Sequence, residues 1–333
     1  MKLAVGFITY RASSFPYLTD FLTSLATALS FLNESAYEIY AFDNSGPDDS
    51  RNRLLIESFN LGELSGGQKP RKSVQYLTEN SNLGFGRAYN ILINTALKQG
   101  ADYFLVVNPD IYFDHLSIQL LVAALDDNPT AAAAAPKILY WNFAKKQLSS
   151  TIDSLGIALL SGLRFVDACQ GQIDRGQSSE IIGPSGAAGL FRLSALNELL
   201  ITEGQEEKLQ YFDESFFMYK EDCDLAYRLF FNGRQTLSVT KALVYHDRTA
   251  RAADSYFSFF RHRQQQSRQV RAWSFINQHL IFFKHWKKQN IVNCFVISLY
   301  IGFYFIFALI LEQFLLKEYR SIWRSVRLLT NVK

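Results

Sequence analysis

The chain has 333 residues, enough for one large domain or two ordinary ones, and 48% hydrophobic against 20% charged residues excludes a disordered, collagen-like or low-complexity protein. Three scattered cysteines, Cys169, Cys223 and Cys294, exclude a disulfide framework and a cysteine metal site and fit a reducing compartment. The net charge of +3 hides a division, since 20 Lys and Arg face 28 Asp and Glu before Arg248, whereas 14 face 3 from Arg248 onward.

Residues 3–8 form an apolar run with one Lys before it and no small-residue cleavage site after it. The run reads as a buried strand ending in polar Thr9 and Tyr10, not as a targeting segment. Pro16 then opens a helical stretch to about Phe31. Residues 37–42 give a second strand, closed by the turn signal Asp43-Asn44-Ser45-Gly46-Pro47. After a Gly-rich loop, residues 73–77 give a third strand and residues 84–98 a helix that stops at Gly100. A fourth strand, 103–107, runs into Asn108-Pro109-Asp110. Strands and helices alternate to this point, so the expected class is α/β with a mostly parallel sheet. Three of the four strands end in polar or acidic residues at the carboxyl edge, where open α/β sheets bind ligands.

Asp114 caps a helix to about Asp127, residues 131–135 with Pro136 form a small-residue buried strand, and residues 142–180 read as loop-rich. Gly186 to Gly189 are small or flexible, so backbone there can approach a ligand. An aromatic loop leads to a helix from about Lys220, closed by Asn232-Gly233, with Glu221 and Asp222 in its first turn. The helix dipole favours carboxylates there and would keep them ionised. Asp224 with Arg228 reads as an ordinary i,i+4 pair. A last strand, 235–245, ends in His246-Asp247-Arg248.

The basic remainder interleaves Arg and Lys with long apolar runs, a pattern that suits an anionic membrane surface; no nucleic-acid partner is expected. Residues 255–286 suit an amphipathic interfacial helix or one packed on the rest of the chain. Residues 291–311 are uncharged and, at 1.5 Å per residue, about 31 Å long as a helix. Spanning, interfacial and buried readings of that segment all stay open.

Strand-end Thr9-Tyr10, NLGFGRAYN (82–90), VVNPD (106–110), GAAGLFR (186–192) and FFMYKEDCDLAYRL (216–229) follow one another over roughly residues 3–250. Together they resemble a family 2 glycosyltransferase of the GT-A fold, closest to the rhamnosyltransferase-like branch. The resemblance implies a GT-A catalytic domain over 1–250 and a helical, basic, membrane-associated region over 251–333. It implies inverting transfer of a sugar, L-rhamnose from dTDP-rhamnose by analogy with the branch, to a lipid-linked or other glycan acceptor in bacterial surface polysaccharide synthesis. The expected location is the cytoplasmic face of the plasma membrane, peripheral or single-pass, with a homodimer left open. Donor contacts are expected from Thr9, Tyr10, Asp43, Asn82, Gly84, Phe85, Arg87, Asn108 and Asp110. Acceptor contacts are expected from Gly189, Phe191, Arg192 and Glu221, and Asp222 is the expected base. Asp110 and His246 would hold Mg²⁺ or Mn²⁺, although Asn108 brings no charge where many relatives have Asp. Two other readings stand beside this one: a UDP-hexose transferase of another surface glycan, and a catalytically dead, membrane-attached binding protein on the same fold.

Overall fold

The computed structural model describes residues 2–65, 67–201, 209–247, 263 and 266–331. The first part runs β1 (Leu3–Thr9), α1 (Arg11–Ser14), α2 (Leu18–Leu29), β2 (Tyr37–Asp43), α3 (Arg51–Leu61), β3 (Val74–Thr78), α4 (Gly84–Lys98) and β4 (Tyr103–Val107). These four strands are parallel, β1 lying between β2 and β4. β1, β2 and β4 are buried on nearly every residue because helices cover both faces, which is why their sequences read as continuous apolar runs. The chain passes from one side of β1 to the other between β3 and β4, so a crevice opens at the carboxyl ends of β1 and β4.

The chain continues through β5 (Ile111–Phe113), α5 (Ser117–Asp127), β6 (Ala131–Asn142), β7 (Gln147–Ser154), β8 (Ile157–Leu160), β9 (Arg164–Asp167), β10 (Ala188–Arg192), α6 (Leu193–Asn197), α7 (Glu221–Phe231) and β11 (Gln235–His246). The nine-stranded sheet has the order β3-β2-β1-β4-β10-β6-β11-β5, with β7 also on β6. β10 is antiparallel to β4, so Ala188, at its start, lies opposite Val107, at the end of β4. β11 is antiparallel to β5, which sets His246 opposite Ile111, next in sequence to Asp110.

Two sequence expectations change here. β6 does not stop at Pro136 but runs on to Asn142; proline has no N–H for the ladder, and β11 shifts register between Val239 and Leu243, beside Pro136 and Lys137. Residues 142–180 are not loop-rich, since they hold β7 and a separate β8–β9 hairpin.

The chain ends in α8 (Arg268–His285), α9 (Ile291–Ile310) and α10 (Glu318–Asn331). Part of the expected interfacial segment, 255–262 and 264–265, lies outside the described residues. The described part, α8, packs against the domain. Leu280, Ile281 and Phe282 share one buried cluster with Phe216, Cys223, Ala226 and Tyr227 from α7 and the loop before it. Elements on either side of residue 250 thus share one buried cluster. Burying an apolar side chain contributes about 1.5–3 kcal/mol, so removing these three alone would cost several.

Candidate active site

At the ends of β1 and β2, Asp43 is buried, and its carboxylate is taken up within the protein. Oδ1 accepts from Thr9 Oγ1 at 2.9 Å and the Ser45 N–H at 3.0 Å, and Oδ2 accepts from the Tyr76 hydroxyl at 2.6 Å. Thr9 is fully buried as well. These two residues are placed to shape the crevice from beneath, whereas half-buried Tyr10 can reach a ligand.

Across the crevice, the start of α4 is tied to the turn after β2. Asn44 donates to Gly84 O at 3.0 Å and accepts from the Leu83 N–H at 3.1 Å, and Asn82 accepts from the Gly84 N–H at 2.9 Å. Gly84 has φ +79°, and a Cβ there would lie 2.3 Å from Phe217 O, so no other residue fits without moving backbone. The Phe85 N–H donates to the same Phe217 O at 2.9 Å. Arg87 is exposed, 3.9 Å from Glu79. The Asn82–Asn90 motif thus anchors the 211–217 loop, because buried Asn90 donates to Phe212 O and accepts from the N–H groups of Tyr211 and Phe212.

At the end of β4, the Tyr89 hydroxyl holds Val107 O at 2.9 Å, and the Asn108 N–H donates to Ala187 O at 2.9 Å. Asp110 follows, partly exposed. Its Oδ2 lies 3.2 Å from His246 Nε2, and its Oδ1 is buried with no hydrogen-bond partner. His246 Nδ1 lies 2.7 Å from Asp153 Oδ2. Burial alone would lower the His246 pKa, but Asp110 foremost, with Asp153, pushes it up to about 10. The ring thus sits where the protein concentrates negative charge. A carboxylate that fixes one imidazole nitrogen while the other faces an acid is an arrangement that orients a metal-binding histidine. Among the described residues no group of three or more His, Cys, Asp or Glu is poised for a metal. A divalent cation taken up here would be held by Asp110, whose buried Oδ1 has no partner, and by His246, with the remaining positions left to substrate phosphates and water. Asp153, on β7, was not legible in the sequence.

On the opposite wall, α7 presents Asp222. Its Oδ2 accepts from the Gly186 N–H at 2.9 Å and its Oδ1 from the Cys223 N–H at 2.8 Å, leaving the carboxylate half-buried and reachable. Glu221 differs from the ionised acid expected. It is buried, its Oε2 has no partner, and burial followed by the charge of Asp222 pushes its carboxyl well above the usual range. The helix dipole does not offset that desolvation. Just before it, Tyr219 and Lys220 take φ of 74° and 72°, a left-handed pair costing on the order of 1–3 kcal/mol per residue. Asn277 of α8 holds the turn, donating to Met218 O at 2.8 Å and Tyr219 O at 2.7 Å. The expected i,i+4 pair forms, inside a larger buried cluster. Asp224 is fully buried and meets Arg228 at 2.8 Å, Lys284 at 2.9 Å and His285 at 2.8 Å.

Three expected acceptor residues are not brought to this edge. β10 runs away from the crevice, so Arg192 pairs with Tyr103 at the far end of β4, where its guanidinium donates to Ala131 O, Leu125 O and the Tyr103 hydroxyl. Phe191 is buried in the core beside Phe212, and Gly189 is buried against Pro184. Arg192→Ala is accordingly expected to lower the melting temperature while leaving donor affinity unchanged. Differential scanning calorimetry with a donor titration checks this, and a lost donor site with unchanged stability would contradict it.

A mostly parallel sheet with a switch point, an acid just after β4 and an acid-bearing helix opposite define a GT-A type of α/β domain. Residues 5–200 match the model for Glycosyl transferase family 2, and the chain belongs to that family. No curated protein matches it. Among solved structures, S. aureus TarS 1–349 is 16% identical with a TM-score of 0.51, over 98% of this chain and 79% of that one. GalNAc-T7, solved with UDP, GalNAc and Mn²⁺, is 11% identical with a TM-score of 0.51, over 87% of this chain and 51% of that one. The match to a longer S. aureus TarS chain covers 42% of that chain, so this one spans well under half its length. At such identities the likeness is one of fold.

Proposed function

We propose that the chain is an inverting, nucleotide-sugar-dependent hexosyltransferase. It moves L-rhamnose from dTDP-rhamnose to a lipid-linked glycan in bacterial surface polysaccharide synthesis, at the cytoplasmic face of the plasma membrane. The observation that carries the reaction is the meeting of two walls at one edge: Asn108 N–H to Ala187 O on one side, Gly186 N–H to Asp222 on the other. Asp110 and Asp222 thereby flank a single crevice, the first beside the place for a diphosphate and the second on the acceptor side. Asp222 takes the proton of the attacking hydroxyl as the bond from the anomeric carbon to the diphosphate breaks, and configuration inverts. Asp110 and His246 would hold a divalent cation, which offsets the charge developing on the leaving diphosphate. Glu221, which burial pushes toward the neutral acid, sits beside the base rather than serving as a second base. Rhamnose rests on the branch resemblance alone.

The test is nucleotide release by the full chain from a panel of dTDP- and UDP-sugars, with Mg²⁺, Mn²⁺ or EDTA. Release from dTDP-rhamnose, dependent on cation and acceptor, is expected, and Asp110→Ala should remove most of the cation-dependent part. UDP-hexose turnover instead would change the donor, equal rates in EDTA and Mn²⁺ would remove the metal role, and no turnover of any donor would favour a binding protein on this fold.

A further inference from the structure

We infer that α9 and α10 lie flat on an anionic lipid surface as an in-plane anchor and do not carry the chain across the bilayer. The inference deepens the membrane side of the function proposed above. α9 has twenty apolar or uncharged residues, a length that would pass for a membrane span. Its packing argues against that use. Asn293 Oδ1 accepts from Ser161 Oγ at 3.2 Å and the Gly162 N–H at 3.4 Å, and Ile297 is fully buried. Arg164 donates to the Tyr300 hydroxyl at 3.2 Å, Tyr304 meets the rings of Phe275 and His279, and Ala308 is fully buried.

Those positions recur every three or four residues from Asn293 to Ala308, about 22 Å of helix at 1.5 Å per residue. One stripe is therefore committed to α8 and the β8–β9 hairpin along nearly the whole helix. A spanning α9 would draw that hairpin, with Arg164, and α8 into a hydrocarbon layer about 30 Å thick.

The opposite stripe faces outward. Ile291, Phe295, Leu299, Phe303, Ile306 and Ile310 are each more than half exposed. On α10, exposed Trp323 lies between exposed Arg320 and Arg324, and exposed Lys317 precedes them. An apolar stripe rimmed by cations, with Trp at the boundary, matches acyl chains below and anionic headgroups above. The 14-to-3 basic excess after residue 247 selects the same occupant, because a second copy of this chain would set like charges against each other.

The experiment has two arms, both on the full chain. Cosedimentation with phosphatidylglycerol-containing vesicles should exceed that with phosphatidylcholine alone and weaken in high salt. Phe303→Asp with Ile306→Asp should reduce it about tenfold or more, with donor affinity unchanged. For topology, Lys287→Cys and Gln313→Cys are introduced singly after Cys169, Cys223 and Cys294 are replaced by Ala. Inverted membrane vesicles from the expressing cells are then treated with a membrane-impermeant maleimide. Labelling of both positions without detergent is expected. Protection of one end until detergent is added would overturn the inference. So would failure to bind any vesicle, including through a detergent-free dimer that buries the stripe; nucleotide release would then still stand, and only the membrane reading would fall.

Discussion

Replacing Asp222 by Asn is expected to lower turnover by roughly 10²- to 10⁴-fold, the usual worth of a general base, while donor affinity stays nearly unchanged. The substitution keeps side-chain size, and the remaining oxygen can still accept from the Gly186 N–H, 2.9 Å away in the native protein. What it cannot do is take a proton. Glu221→Gln serves as the contrast, since an amide imitates the neutral acid that burial favours at Glu221, and turnover should stay near native. Steady-state kinetics with a separate donor-binding titration checks both. Near-native turnover in Asp222→Asn would remove Asp222 from the reaction.

The second large effect concerns Asp224, where replacement by Ala should destabilise the protein by about 3–5 kcal/mol, because Arg228 and Lys284 would lose a fully buried partner. That corresponds to a fall of about 10 °C in melting temperature for a protein of this size. Burial alone would raise the Asp224 pKa, but Lys284 and Arg228 beside it overcome burial and hold the carboxyl well below the usual range. Its folded pKa is thus depressed relative to the unfolded value of about 3.9. The stabilisation is therefore present above the unfolded pKa and lost as pH falls through the folded one. Native protein should lose stability steeply in acid, and Asp224→Ala should show a lower plateau at neutral pH and a shallower acid limb. Calorimetry from pH 7 down to about pH 2 reads both. Because Lys284 and His285 belong to α8, the same cluster joins the C-terminal helix to the acid-bearing helix, and a chain truncated after residue 250 should fail to fold stably rather than remain a soluble donor-binding unit.

The parallel half of the sheet was legible because buried strands read as short apolar runs and turn residues punctuate them: 103–107 was found to the residue, and 3–10 and 37–42 to within one. Asp110, His246 and Asp222 were legible through their places at strand and helix ends, and the structure gathers them at one edge. β7–β9 were not, because QLSSTIDS is exposed over its first half and mixes small polar residues without a clean period of two. Asp153 went unnoticed for the same reason, as nothing local marks an acid whose role comes from a histidine 93 positions away. The place of Arg192 could not be read from the motif, which gives order along the chain but not strand direction. An antiparallel β10 points its first residues, not its last, at the crevice. The α8 clamp on the strained Tyr219–Lys220 turn was invisible for a related reason. Its agent, Asn277, is an ordinary polar residue until folding buries it against the turn before α7.

The most direct test of the account is the configuration of the new glycosidic bond. The full chain, supplied with dTDP-rhamnose, a divalent cation and a lipid-linked acceptor, is followed by NMR at the anomeric centre. Single displacement with Asp222 as base predicts a product whose anomeric configuration is opposite to that of the donor, with the signal growing at least a hundredfold more slowly in Asp222→Asn. A product that keeps the donor's configuration, or one formed at the native rate by Asp222→Asn, would contradict it.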